Sequence, residues 1–129
     1  MLNLQHILRV TTYFIDKSDE RLDMETMLVS QWLEKSFDSA TREEGDYILK
    51  QLLDEKDMYH RTNRIDALVD KIRVSCAAIK SDNDPRIQVS VVDLLVAICI
   101  VKYGKELPAA RLTDLKMLSE QIAEGYRFT

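Results

Sequence analysis

An all-α fold, a compact bundle of five to six mostly antiparallel helices around a buried central helix at about residues 85–103, is predicted by three features of this sequence. Between Val89 and Val101 only Ser90 and Asp93 are not apolar, so this stretch has almost no polar face and calls for neighbours on every side. Three glycines and two prolines in 129 residues leave little material for hairpin turns. Elsewhere apolar residues recur at intervals of three and four, the spacing of one helical face.

The central stretch is rich in β-branched residues (Val89, Val91, Val92, Val96, Ile98, Ile100, Val101) and would also suit a buried strand. Its boundaries favour a helix. Asp84 can accept from the first free backbone N–H groups, Pro85 fits the first helical turn, and Gly104 can take the left-handed conformation that ends a helix. No turn signal interrupts the span between them, which is too long for an ordinary strand.

The other elements follow in order. Leu4, Ile7, Leu8, Thr11, Phe14 and Ile15 give the inner face of a helix over Leu2 to Ile15. A charged connector with a cap at Ser18 or Asp19 leads to a second helix from about Glu20 to Lys35, whose Glu20, Asp23 and Glu25 suit the positive end of the helix dipole. Thr41 and Glu44 have the spacing of a capping box for a third helix, with Ile48, Leu49, Leu52 and Leu53 inward and Gly45 in its first turns. The polar segment Asp54 to Asn63 reads either as a loop or as a solvated continuation of that helix. Ile65, Leu68, Val69, Ile72, Cys76 and Ile79 give the fourth helix its core face, with Asn63 and Asp66 as its start signal. A last helix, carrying Leu112, Leu115, Leu118 and Ile122, runs from Ala110 or Thr113 to Glu124 and ends at Gly125.

The composition fits a single all-helical domain over residues 1–129, large enough to form a core without disulfides or metal. The net charge of −4 is uneven. Residues 1–60 carry 7 Lys/Arg against 13 Asp/Glu, whereas residues 61–129 carry 11 against 9. This acidic balance argues against nucleic acid as a partner and suits a basic protein partner. Cys76 and Cys99 both fall in apolar helical patterns and read as reduced core thiols. No secretory signal or membrane span is evident, so a cytoplasmic protein with no membrane association is expected.

Few residues suggest chemistry. Asp93, the one charge in the central apolar run, is the candidate buried functional carboxylate; Arg9, Lys71 or Arg73 would neutralise it in a purely structural pair. Asp57 and His60 supply only half of a di-iron-type carboxylate–histidine spacing, and His6 has no carboxylate within a turn. The acidic start of the second helix lacks the glycine and terminal glutamate of an EF-hand. No metal or cofactor is therefore expected. No glycine-rich phosphate loop and no nucleophile elbow occur. Met58, Tyr59, His60, Arg61 and Arg64 combine the residue types enriched at protein interfaces and form the candidate interface, with a structural role for Met58 and Tyr59 as the competing reading.

A non-enzymatic helical protein-interaction module of the adaptor, immunity-like or chaperone-like kind is the function these features favour, with a protein partner. Homo-oligomerisation is a subsidiary expectation, motivated by Trp32, Phe37, Tyr103, Tyr126 and Phe128. One alternative is a small-molecule-binding or catalytic bundle using Asp93 in a cavity. A second is a DNA-binding helical domain using Arg61, Arg64, Lys71 and Arg73, a positive surface that Asp66 and Asp70 interrupt.

Overall fold

The computed structural model describes residues 4–16, 20–36 and 39–126, with the side chains of Ser39 and Ala40 left aside. The expected helix start at Leu2, the cap at Ser18 or Asp19, and Phe37 and Phe128 lie outside the described residues. The described residues form six helices: α1 (Leu4–Thr12), α2 (Leu22–Ser36), α3 (Ser39–Arg61), α4 (Ile65–Asp82), α5 (Pro85–Tyr103) and α6 (Ala109–Ile122). Among the described residues there is no strand, as the all-α reading requires.

The short helix α1 is the most enclosed element. Ile7, Leu8, Val10, Phe14 and Ile15 have no exposed surface, and the helix packs against α3, α4 and α5. Two buried threonines fit this apolar setting by turning their hydroxyls to the backbone: Thr11 donates to the Ile7 carbonyl and Thr12 to the Arg9 carbonyl, each at 2.8 Å. Beyond Thr12 the chain tightens. The amides of Tyr13, Phe14 and Ile15 donate to the carbonyls of Val10, Thr11 and Thr12, so the last turn of α1 is fully bonded.

Helix α5 has the predicted ends. Asp84 Oδ1 accepts from the amides of Arg86 at 2.9 Å and Ile87 at 3.1 Å, Pro85 occupies the first turn, and Gly104 takes φ of 60° while its amide donates to the Ile100 carbonyl. It is not surrounded on all sides, however. Val91, Val92, Leu94, Leu95, Ile98 and Cys99 are buried, but Arg86, Val89, Asp93 and Ile100 form an exposed stripe in which Ile100 is 62% exposed. The solvent side of α5 carries so few polar residues that hydrophobicity alone does not reveal it.

Several boundaries differ from the sequence reading: α1 ends at Thr12 rather than Ile15, α2 starts at Leu22, α6 runs from Ala109 to Ile122, and the limits of α3 and α4 shift, the polar segment 54–63 taking the second of its two readings, a continuation of α3. Helix α3 begins at Ser39, which places Thr41 and Glu44 inside the helix rather than at a capping box. It continues through the polar segment to Arg61, and Asn63, at φ of 56°, terminates it: the Asn63 amide donates to the His60 carbonyl and the Arg64 amide to the Tyr59 carbonyl. That is a Schellman-type stop, so Asn63 ends α3 instead of starting α4. Helices α4 and α5 are joined only by Asn83 and Asp84, both extended, yet they do not pack along each other. α4 lies against α1, α3 and α6, and α5 against α1, α2 and α6.

Gly45 lies in the second turn of α3, within the expected first turns, and its place is explained by packing. A Cβ there would lie 2.5 Å from Leu33 Cδ1 on α2, and Leu33 is itself fully buried. The missing side chain lets α2 and α3 approach closely at this level. Gly45→Ala gains helix propensity of about 1 kcal/mol but overpacks a closed contact at a cost of ~1–3 kcal/mol. Chemical denaturation is expected to show a net destabilisation of roughly 1 kcal/mol; a stabilised variant would show that Leu33 can move aside.

Candidate functional site

Two charged arrangements stand out. The first is internal and lies at the end of α1, where the carbonyls of residues 13–15 point away from the finished helix. Lys56 of α3 donates to the Tyr13 carbonyl at 3.2 Å, to the Ile15 carbonyl at 2.8 Å and to Asp16 Oδ1 at 2.9 Å. Lys102 of α5 donates to the Phe14 carbonyl at 3.3 Å and to Asp16 Oδ2. The lysine side chains are only 6% and 7% exposed, whereas Asp16 is 40% exposed.

Burial alone would raise the Asp16 carboxyl, but the hydrogen bonds from Lys102 and Lys56 override it and hold the group well below its ordinary 3.8. Burial lowers Lys56, against the attraction of Asp16. Lys102 is raised: burial opposes its charge, but Asp16 and the fully buried Glu25 of α2 favour it. Arg111 of α6 completes the surroundings, its guanidinium 5.2 Å from the Tyr13 ring centre and 5.7 Å from that of Phe14. Every charge here is engaged with its neighbours, and the carbonyls of residues 13–15 receive the donors that the helix ladder no longer supplies. The cluster joins α1, α3, α5 and α6.

The second arrangement is an open cleft of about 540 Å³ between α2 and α3. Its floor is Leu22, Leu49 and Leu53, and its rim carries Asp23, Thr26, Ser30, Asp46, Lys50 and Asp54. Ser30 donates to Asp46 Oδ1 at 2.6 Å, and Arg42 spans Glu34 at 3.2 Å and Asp46 at 3.9 Å. These bonds lie beside the Gly45–Leu33 contact and fix one end of the cleft. Asp23 and Asp54 are exposed at the other end. Met27 follows Thr26 on the face of α2 that carries Asp23 and Ser30; Tyr47 precedes Lys50 and Asp54 at helical spacing on α3. Met27 is 57% exposed and Tyr47 64%.

A smaller cleft of about 330 Å³ between α1 and α4 brings His6 Nδ1 within 2.9 Å of Ser75 Oγ, a pair separated by 69 residues in the chain. Burial and the nearby Arg9 lower the His6 pKa, so a neutral imidazole is favoured. Hydrogen-bond reach between a hydroxyl and an imidazole is the geometry of an activated nucleophile. Ser75, however, is fully buried in the middle of α4, with Arg9 Nη1 also 3.4 Å from its hydroxyl. The pair serves to hold α1 to α4.

The residues singled out from sequence are dispersed. Asp93 is exposed, not buried, and lines none of the clefts described here. Its partner is Tyr126, whose hydroxyl donates to Oδ1; Arg9 and Lys71 instead engage Glu55, at 3.4 and 2.8 Å. Burial, then the hydrogen bond to Asp93, push the Tyr126 hydroxyl up to about 12.

Of the expected interface, Met58, His60, Arg61 and Arg64 are exposed, but Tyr59 is buried, with Arg64 and Lys71 at 5.4 and 5.5 Å from its ring centre. Arg61 Nε donates to Asp57 at 3.0 Å. Among the described residues no group of His, Cys, Asp and Glu is arranged to hold a metal ion, and no helix is long and apolar enough to cross a membrane. Cys76 and Cys99 are free, buried thiols, pushed by burial to about 12 and about 11. Comparison of the chain with protein-family models, curated proteins and solved structures found no match.

Lys56, Lys102 and the α2–α3 cleft were not singled out by sequence. Lys56 did leave a signal: Leu49, Leu52, Leu53, Lys56 and Tyr59 continue one helical face, which places the lysine in a core register. The His6–Ser75 pair left none.

Because Asp16 has a depressed pKa in the folded chain, its contribution to stability is complete above about pH 5 and is lost as pH falls below 3.8 towards its folded value. Asp16→Asn removes the compensating charge from two buried ammonium groups. A fully buried pair broken this way costs ~3–5 kcal/mol; water at the 40% exposed Asp16 side chain reduces the expectation to ~1–3 kcal/mol. Denaturation midpoints from pH 2 to 7 are expected to show a smaller pH dependence in Asp16→Asn than in the parent; parallel curves would exclude the linkage.

Proposed function

We propose that this chain is a non-enzymatic helical interaction module that engages a protein partner through the α2–α3 face. The observation that carries the reading is the cleft itself: an apolar floor in Leu22, Leu49 and Leu53, with the exposed Met27 and Tyr47 beside a polar rim. Such a surface provides apolar area for contact and hydrogen-bonding groups for orientation, the composition of interface centres and rims. Aromatic anchors carry a large share of binding energy at interfaces, which makes Tyr47 the residue of greatest weight. The Met58–Arg64 patch is less favoured because burial removes Tyr59 from it. The alternative in which Asp93 acts as a buried acid or base in a cavity loses its main premise, since that carboxylate is exposed and bonded to Tyr126.

Affinity capture from the native cell extract tests this with three proteins: the parent, a Met27→Ser/Tyr47→Ser variant, and a Val74→Ser control on exposed α4 surface. A partner protein held by the parent and the control and reduced at least tenfold by the double variant is the expected result. Equal retention by all three would place the contact elsewhere, and retention of nothing specific by the parent would overturn the reading.

A further inference from the structure

Resting on the interaction reading above, we propose that Met27, with Met24 beside it, is a peroxide-responsive modification site: oxidation of the thioether to the sulfoxide weakens the partner contact while the fold stays intact. Sulfur is sorted by depth in this chain. Among the described residues all four methionines, Met24, Met27, Met58 and Met117, are exposed and none contributes to the core. Both cysteines lie inside it. Thiols react with peroxides as thiolates, and burial pushes Cys76 up to about 12 and Cys99 up to about 11, so both stay protonated. Thioethers need no deprotonation, which makes the surface methionines the groups an oxidant meets first. Met24 and Met27 are each 57% exposed, against 39% for Met58 and 38% for Met117.

Met27 flanks the cleft on its α2 side, one turn from the rim residues Asp23 and Ser30. Met24, three residues earlier, is its neighbour on the helix surface, so the two add unbranched, adaptable apolar area to that wall. In the reaction a sulfur lone pair attacks one oxygen of hydrogen peroxide and the O–O bond breaks. The transferred oxygen stays on sulfur, its proton passes to the departing hydroxide, and that leaves as water. Sulfur is oxidised and the peroxide reduced. The product is polar and a strong acceptor, which puts an unpaired group where the partner brings apolar surface. In a core the same change would disrupt packing; on this exposed side of α2 it leaves the buried Val29 and Leu33 untouched. It is also reversible, since two thiols return the sulfoxide to the thioether and give a disulfide and water.

The test treats the full tagged chain with hydrogen peroxide, removes the excess before any cell extract is added, and reads each sulfur by peptide mass mapping. Met24 and Met27 are expected to gain one oxygen ahead of Met58 and Met117, with Cys76 and Cys99 unchanged and the circular dichroism that of the untreated chain. Capture of the partner is expected to fall at least about fivefold on treatment. It is expected to recover after incubation with sulfoxide reductases for both sulfoxide epimers. Met24→Leu/Met27→Leu keeps the apolar bulk without the sulfur and is expected to hold the partner equally before and after treatment. An unmodified Met27 in a chain oxidised at Met58 and Met117, undiminished capture with Met27 fully oxidised, an equal loss in the leucine variant, a loss that the reductases do not reverse, or unfolding on treatment would each overturn the proposal. Undiminished capture by the oxidised chain leaves the interaction reading standing and removes only the switch. No partner on the untreated chain is the failure of the interaction reading, and the switch falls with it.

Discussion

The fold depends on how the end of α1 is closed. A nine-residue helix at the centre of a bundle exposes its last carbonyls to a dry interior, and each would be costly if left unbonded. Threonine hydroxyls and tight turns deal with those up to Thr12, and Lys56 and Lys102 deal with the next three. Asp16 then neutralises part of the charge the lysines bring in. The result is a joint that is simultaneously a helix cap, an ion-pair cluster and the crossing point of three further helices. Arg21 extends it, donating to the carbonyls of Val101 and Lys102 at the end of α5. Residues 13–16 and Arg21 therefore connect the ends of two helices to the flank of a third.

The cleft follows from that arrangement together with one glycine. Lys56 fixes α3 from its inner side, while Gly45 lets α2 close against it at Leu33. Between that contact and Leu22 the two helices enclose a floor of leucines, with Asp23, Asp46 and Asp54 among Thr26, Ser30 and Lys50 along the rim. A close approach at one end and a polar rim along the sides make a shallow, open site suited to a surface contact. The internal polar groups are used differently: His6 with Ser75, and Arg9 and Lys71 with Glu55, fasten α1 and α3 to α4.

Features of the fold written in local chemistry were legible in the sequence. Asp84, Pro85 and Gly104 bracket α5 because capping and left-handed backbone are decided within a few residues. The burial of Cys76 and Cys99 followed from periodicity for the same reason. What depended on tertiary partners was not legible. Asp93 looked buried because its neighbours are apolar, but its side of α5 faces solvent between Val89 and Ile100. Lys102 and Glu25 carry no local sign of burial, and Lys56, although in a core register on α3, finds its partners only on the segment that follows α1. The cleft was hidden similarly, since Asp23 and Asp54 lie 31 positions apart and nothing local pairs them. Tyr59 shows the limit of composition: it has the residue type of an interface anchor and the position of a core residue.

The state of the two lysine ammonium groups tests the central claim most directly. Nitrogen-detected NMR of the lysine side chains at neutral pH resolves each Nζ and the exchange of its protons with water. The account predicts two protonated ammonium groups, assigned to Lys56 and Lys102, whose protons exchange far more slowly than those of the other lysines and become fast on unfolding. Eight or more lysine signals alike in rapid exchange, with Lys56 and Lys102 among them, would contradict it, because the end of α1 would then be open to solvent.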